Sequence, residues 1–386
     1  MLTSFKVKSF KSLEDVEVEL GRVNVFIGAN GSGKSNLLEA IGMLGAAAFG
    51  RVDAPAFSRY GIRLGFSNLF SSSFKSKKQP ASIHLSASNE KATFSVDLTN
   101  SVEESELSWS FKNELLQENN KIIVNRSKKS ALDLDITSGY TALSAVELKS
   151  NSLARLLLQD LRRFAIYSPN TITLRGVVPD TQSRDPIGLG GGRLAEAVDE
   201  IFRFGKFHQE IHEAMLELID WASDISWTET IDTPIAEPNR VLFFKDRYMA
   251  LKRNILSSFD VSEGALYVLF MAVLIHHPKA SAVVAVDNFD QALNPRLARA
   301  LTSRVCEWVK QYDNKQIFLT SHNASVLDGL PLLDDTVRLF TVSRSYSGKT
   351  LVQRVLVNED IIQRAKNGIP LSQQWIMGVF GGVPSI

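Results

Sequence analysis

The chain has 386 residues, 44% hydrophobic and 22% charged, with a formal net charge of +1. That is material for one large or two ordinary domains, and the near-neutral balance excludes a global field for nucleic acid or a membrane surface, leaving only local basic patches. The single cysteine, Cys306, excludes an intramolecular disulfide and suits a reducing, cytoplasmic compartment, and no window approaches the ~20 consecutive apolar residues of a membrane span.

The opening MLTSFKVKSFKSLEDVEVEL alternates over 3–9 and 15–20, which predicts two strands and no signal peptide. VNVFI, residues 23–27, is a short apolar run of the kind that forms buried parallel strands. GANGSGKSN follows, and apolar residues at 37, 38, 41 and 44 mark one face of a helix. Residues 66–147 change texture: they are rich in Ser, Asn and Lys, with short alternating runs such as SIHLSAS, ATFSVDL and LSWSF. They predict an antiparallel β subdomain. Its basic clusters, SFKSKK (73–78) and NRSKK (125–129), read first as solvated loops.

From residue 151 the pattern turns helical in NSLARLLLQDLRRFA. The glycine run GLGGGR at 188–193, a hinge or a plain loop, precedes the helix LAEAVDEIFRFG, and further helices fill 205–222. VLFFKD predicts a strand and VSEGALYVLFMAVLIHH a densely apolar helix. SAVVAVD, a helix over 295–310, QIFLTSHN and VRLFTVSR then complete an alternating series, which implies a parallel sheet wrapped by helices.

Residues Gly28-Ala29-Asn30-Gly31-Ser32-Gly33-Lys34-Ser35 fit the phosphate-loop pattern G-x-x-x-x-G-K-[ST] at every position, with a strand before it and a helix after it. Such glycines let backbone N–H groups converge on phosphate oxygens at the positive end of the helix dipole. A nucleoside triphosphate is the expected ligand, with Lys34 reaching the β- and γ-phosphates and Ser35 ligating Mg²⁺. Asp287, ending AVVAV, is expected on the metal side as well, although a lone Asp after a strand is also an ordinary turn residue. Taken alone, Ser262 in Ser262-Glu263-Gly264 is an N-cap, and His322 in FLTSHN reads equally as a satisfied loop histidine. His276 and His277 read as a cap or a solvated pair, and the six histidines offer no metal-ligand set.

In this order the elements resemble the ABC-type ATPase heads of the RecF, SMC and OLD-like group. GANGSGKS looks like the Walker A loop, SEG at 262–264 the signature loop, AVVAVD the Walker B strand, LNPRL at 293–297 the D-loop and SHN at 321–323 the switch histidine. SFKSLEDVEVEL looks like the opening hairpin of that group, whose basic residue lies near the nucleotide, here Lys11. The ending WIMGVFGGVPSI resembles compact AAA-family ATPases of bacterial defence and mobile loci. The resemblance covers nearly the whole chain, with residues 70–150 unmatched. It implies an α/β P-loop NTPase with a parallel core sheet, an antiparallel β subdomain and a helical signature lobe. The segments would be 1–65 for the hairpin and Walker A, 66–150 for the β-rich insert, 151–275 for the helical lobe and 276–386 for the Walker B half. It also implies ATP and Mg²⁺ as cofactors, with Asn30, Gly31, Ser32, Gly33, Lys34, Ser35 and Asn36 around the nucleotide. Ser262 and Gly264 would act in trans, closing over the γ-phosphate held by the other subunit of a homodimer.

In that group a glutamate follows the Walker B aspartate and polarises the attacking water. Here the position is Asn288, which can hydrogen-bond a water but cannot take its proton. Asp290 is the nearby carboxylate, two residues from the family position, a displacement that ordinarily spoils the ~3 Å geometry of attack. Three readings stand: slow or negligible hydrolysis with ATP as a long-lived switch, rescue by Asp290, His322 or another carboxylate, and a substitution that traps ATP. The first leads the expectation of a switch or scaffold in an anti-phage defence complex with a separately encoded effector, a nuclease. No HEXXH, HNH-like or Toprim-like segment follows the head. The alternative is a RecF-like DNA-binding ATPase of repair or recombination, whose basic groove would rest on the two lysine clusters and Arg162-Arg163.

Overall fold

The computed structural model describes residues 1–75, 78–100, 107–127, 135–144, 148–182, 184–204, 208–229 and 240–383. The alternating N-terminus forms the hairpin β1 (Ser4–Phe10) and β2 (Leu13–Glu19), paired antiparallel from Ser4–Glu19 to Phe10–Leu13. Phe5, Val7 and Phe10 point into the core, while Lys6 and Lys8 on the other face pair with Glu17 and Asp15. The apolar run 23–27 is strand β3 (Val23–Ile27), buried at every residue. It feeds helix α1 (Lys34–Phe49), followed by α2 (Ala54–Tyr60).

Strands β4 (Ile83–Ser88), β5 (Ala92–Asn100), β6 (Trp109–Glu118) and β7 (Lys121–Arg126) form the expected antiparallel meander. They extend the first hairpin. β4 pairs with β1, so hairpin and insert make one six-stranded sheet in the order β2-β1-β4-β5-β6-β7. Its outer end is tied down by the ion pair Arg126–Glu114, whose side chains are 1% and 0% exposed. Glu114 also accepts hydrogen bonds from the backbone N–H groups of Tyr140 and Thr141, which open α3 (Tyr140–Ser144). Each polar atom of the buried carboxylate is thereby met, as burial requires.

Helix α4 (Leu153–Arg163) covers this side of the molecule and leads into β8 (Ile166–Tyr167), α5 (Thr171–Leu174), α6 (Leu194–Phe204) and α7 (His208–Leu218). In place of helix to residue 222, α7 ends at Leu218 and the chain turns into strand β9 (Ala222–Glu229), while 205–207 lie outside the described residues. β9 pairs with β10 (Arg240–Asp246), and β10 with β11 (Ile255–Ser257), as a small antiparallel sheet. Polar residues on the exposed face of β9 hide its alternation. The glycine run is a loop wrapped around Asp180, whose Oδ2 accepts from the N–H groups of Gly190 (2.7 Å) and Gly192 (3.4 Å).

The remaining elements are α8 (Glu263–His276), β12 (Val283–Val286), α9 (Pro295–Lys310), β13 (Gln316–Ser321), β14 (Val337–Arg344), β15 (Thr350–Arg354), α10 (Glu359–Lys366) and α11 (Leu371–Ile376). The core sheet has the order β15-β14-β3-β13-β12-β8. It is parallel except for β15, an antiparallel edge strand that the β–α reading omitted. Both faces are covered: Val25, Ile27, Val284 and Leu319 pack toward α8 and α9, while Phe26, Phe318 and Phe340 pack toward α1 and the antiparallel sheet. Phe26 and Phe340 stack with centroids 4.9 Å apart. Helix α8, apolar all round, is buried from Gly264 to His276. His276 and His277 are therefore not a solvated pair: each is 4% exposed, bonded to Tyr312 and Glu200 respectively. No helix among the described residues is long and apolar enough to cross a membrane.

Candidate nucleotide site

Strand β3 ends at the carboxyl edge of the core sheet and passes into loop 28–33 before α1. A Cβ on Gly28 would lie 2.0 Å from the Val342 carbonyl, and one on Gly33, whose φ is +109°, would lie 2.1 Å from Thr350 Oγ1. These two glycines are demanded by the approach of β14 and β15, as well as by access for a phosphate. Thr350 Oγ1 sits 2.8 Å from the Ser32 carbonyl and 2.7 Å from Ser12 Oγ, and Arg344 Nε donates to the Gly31 carbonyl at 2.9 Å. The loop is thus held between the first hairpin and the β14–β15 hairpin.

Lys34 is buried, and its Nζ donates to the carbonyls of Gly28 (2.7 Å) and Ala29 (2.9 Å). Burial pushes its pKa below the usual lysine value, against the opposing charges of Asp287 and Asp290. The Ser32 hydroxyl is buried without a partner, a donor left for an anion's oxygen. Ser35 Oγ donates to Asp287 Oδ1 at 3.0 Å, and Thr320 Oγ1 donates to the same oxygen at 2.5 Å. A hydroxyl beside a carboxylate is the hard-oxygen donor set that Mg²⁺ takes when phosphate and water supply its other positions. Among the described residues no group of three or more His, Cys, Asp or Glu side chains is placed to make a fuller protein cage.

The flank of the loop carries charge that the motif does not announce. Lys11, in the left-handed region at φ 48°, sets its Nζ 2.5 Å from Glu39 Oε2 and 4.2 Å from the Phe70 ring centroid. Burial lowers its pKa, with Glu39 acting in the other direction. Arg63 bonds the same carboxylate at 2.6 Å and reaches Asn36 Oδ1 at 3.1 Å. Lys11, Asn36, Arg63 and Arg344 line a cleft of about 930 Å³. Lys11 shares this cleft with Asn36, in the first turn of α1. Glu39, Arg63 and Arg344 escaped the sequence reading; only a lone carboxylate among the apolar residues of α1 hinted at them.

After β12 the chain turns sharply. Asp287 N–H bonds the Tyr167 carbonyl, and Asn288 takes φ 54° with its N–H on Thr320 Oγ1 at 2.9 Å. Phe289 N–H bonds the Thr320 carbonyl, and Gln291 N–H returns to the Asn288 carbonyl. An asparagine accepts this left-handed backbone more readily than most side chains. The turn leaves Asn288 exposed and swings Asp290 inward to 5% exposure. Asp290 Oδ2 lies 3.3 Å from His322 Nδ1.

Ser262 occupies the N-cap position of α8 yet makes no side-chain cap hydrogen bond. It lines a different cleft, about 330 Å³, with Asn294, Arg296, Leu297 and Trp221, and no phosphate-loop residue among them. A Cβ on Gly264 would lie 2.9 Å from Leu297 Cδ2, so the 293–297 loop packs directly on the signature. One chain therefore brings Lys34, Ser35, Asp287, Asp290 and His322 into one neighbourhood and leaves Ser262 lining another, with Gly264 buried behind it against Leu297. Of the basic clusters, residues 76–77 and 128–129 lie outside the described residues. Arg162 serves the fold, donating to the Ala48 and Ala142 carbonyls, while Arg163 is exposed.

The family described as "AAA domain, putative AbiEii toxin, Type IV TA system" matches residues 23–328. The DNA replication and repair protein RecF of Magnetococcus marinus is 42% identical over 62 residues, which span 16% of this chain and 16% of that protein. A solved Smc head bound to the C-winged helix domain of ScpA aligns with a TM-score of 0.55 at 12% identity, covering 92% of this chain and 98% of that one. An Smc head with an extended coiled coil, bound to the C-terminal domain of ScpA derived from Pyrococcus furiosus, aligns at 0.50 and 13% identity over 95% and 98% of the two chains. At these identities the two structures share the fold, a P-loop ATPase head.

Proposed function

The chain belongs to this AAA-domain, AbiEii-type family and is an ATPase head of the SMC and RecF kind; on that premise we propose that it is an ATP-operated dimerisation switch with slow turnover. Lys34 moves from the loop carbonyls to the β- and γ-phosphates, the Ser32 hydroxyl and loop N–H groups take phosphate oxygens, and Asn36 and Lys11 border the nucleotide. Ser35 and Asp287 would hold Mg²⁺, which when bound neutralises charge developing on the phosphates. Ser262 and Gly264 of each subunit then close on the γ-phosphate of the other, a contact that ADP cannot offer.

The observation that carries this reading is Ser262: an exposed hydroxyl at a helix N-terminus, unused by its own helix and lining a cleft apart from the phosphate loop. Slow turnover follows from the exposed amide at 288, which cannot accept a proton from water. The family description supports a place in defence, and the Smc heads solved with ScpA domains support a protein partner; we assign that role to a separately encoded effector, a nuclease. The test is size determination with Mg-ATP and with Mg-ADP, joined to co-purification with the product of the adjacent gene. Dimers and effector capture with ATP alone are expected; a monomer in saturating ATP would refute the switch.

A second reading, a DNA-binding head of repair, is favoured by the 62-residue similarity to RecF. It requires ATP-dependent DNA binding that weakens steeply with salt. Binding that persists unchanged across salt, or none at all, would remove it.

A further inference from the structure

Asp290 has 2% of its side chain exposed; its Oδ2 lies within ion-pair distance of His322 Nδ1, at 3.3 Å, while Oδ1 is buried without a hydrogen-bond partner. An aspartate in a turn ordinarily uses its carboxylate to bond nearby backbone N–H groups. Here the Leu293 N–H goes to the Asp290 carbonyl instead, so the turn does not explain the side chain. Its turn begins at Asp287, whose Oδ1 accepts from Ser35 at the foot of the phosphate loop, and the buried Tyr267 hydroxyl donates to the Asn288 carbonyl at 3.4 Å. Thr320 fixes the arrangement: its hydroxyl bonds Asp287 and the Asn288 N–H, its carbonyl bonds the Phe289 N–H, and His322 follows two residues later. The His322 side chain is 48% exposed, so its ring has a buried anion on the Nδ1 side and open space elsewhere.

We propose that His322, oriented by Asp290, is the proton acceptor for the attacking water, replacing the carboxylate absent at position 288. The Asp290 carboxylate holds the proton of the imidazole on Nδ1, leaving Nε2 with a free lone pair. Water oxygen forms its bond to the γ-phosphorus as the bond to the β–γ bridging oxygen breaks, and that oxygen leaves with the electron pair on ADP. The water's proton passes to Nε2, Asp290 stabilises the resulting imidazolium, and the proton is then released to phosphate or solvent. His322 is the catalytic residue and Asp290 its positioning residue. An imidazole reaching across in this way is a poorer arrangement than a carboxylate already in contact with the water, consistent with slow turnover.

This inference rests on the ATP-binding reading above, and the experiment separates the two. Full-length protein is assayed for Mg-ATP affinity and for single-turnover hydrolysis, with His322→Ala, Asp290→Asn, the double variant, and each single change combined with Asn288→Glu. Affinity should stay within about threefold while hydrolysis falls by about 10²-fold in each single variant, the usual scale of a lost proton acceptor. The double variant should be no slower than the worse single one, because the two act as a unit. Added imidazole should restore part of the His322→Ala rate, and Asn288→Glu should bypass the pair in either background. His322→Ala changes an exposed side chain and keeps the test valid if Asp290→Asn folds poorly. Wild-type protein that fails to bind Mg-ATP would overturn the nucleotide reading and the pair together. Intact binding with hydrolysis unmoved by either substitution, or a rate lost with no imidazole response and no bypass, would overturn the pair alone.

Discussion

Replacing Ser262 by alanine separates a helix cap from a contact made across a dimer. A serine that caps its helix is worth about 1 kcal/mol, which in a chain of 386 residues moves Tm by roughly 1–2 °C. Ser262 makes no cap hydrogen bond and is exposed, so its removal leaves neither an unmet N–H nor a cavity. Its stability cost should stay within about 0.5 kcal/mol, the range of a neutral surface change. Asn358→Ala is the control: that side chain accepts from the Ile361 N–H at 3.0 Å, and its loss should show the full cap cost. The dimer should respond in the opposite order. A hydroxyl donating to a phosphate oxygen is a charge-assisted bond worth about 1.5–3 kcal/mol. Two symmetric sites then weaken ATP-dependent association by about 3–6 kcal/mol, or roughly 10²- to 10⁴-fold. Differential scanning calorimetry gives the first quantity and sedimentation equilibrium in Mg-ATP the second. A Ser262→Ala protein that melts as early as Asn358→Ala, while dimerising like wild type, would refute the trans assignment and leave an ordinary cap.

Gly28→Ala should weaken Mg-ATP binding and destabilise the fold by about 1–3 kcal/mol, since its Cβ would sit 2.0 Å from the Val342 carbonyl; binding titration and urea unfolding check both, and a wild-type result would mean that β14 yields freely. Arg126→Met strands the buried Glu114 carboxylate and should cost about 3–5 kcal/mol, while adding Glu114→Gln, which removes the stranded charge and keeps an acceptor for the Tyr140 and Thr141 N–H groups, should recover part of it; equal losses in the single and double variants would count against the pair being the cause. His276, held down to about 3 by burial in the folded chain against 6.5 unfolded, binds its proton more readily when unfolded. Its contribution to stability is therefore full above about pH 6.5 and is lost as pH falls toward 3, at up to about 1.4 kcal/mol per pH unit. His276→Phe should flatten that part of the denaturation profile, and an unchanged slope would contradict the assignment.

What could be read from the amino acids alone follows how local each feature is. The phosphate loop, its strand and its helix are written within some two dozen consecutive residues, and every part of them forms as expected. The pairing of β1 with β4 joins residue 8 to residue 84, and no local pattern specifies which edge of a hairpin an insert will extend. β9 and β15 escaped for a related reason: each is an edge strand whose solvent face is polar, so the apolar half of the alternation is thin. At the site, the inward position of Asp290 is not legible from spacing, which assumes a continuing strand. The left-handed backbone at Asn288 and the two bonds to Thr320 reverse the chain there, and neither is visible without the fold.

The strand order also fixes when the phosphate loop can first be held in place. β3 lies between β13 and β14, so the phosphate loop near the start of the chain has its neighbours at residues 316–321 and 337–344, and its clamp at Thr350. At about 5–20 residues per second, a ribosome works for roughly fifteen seconds to a minute after making the loop before the partners of β3 emerge. During that interval the N-terminal antiparallel sheet has its sequence complete, while the nucleotide pocket has no sides. A nascent or prematurely terminated chain is left with a phosphate loop it cannot hold in shape. Only a polypeptide finished past residue 350 can clamp the loop in the shape described here.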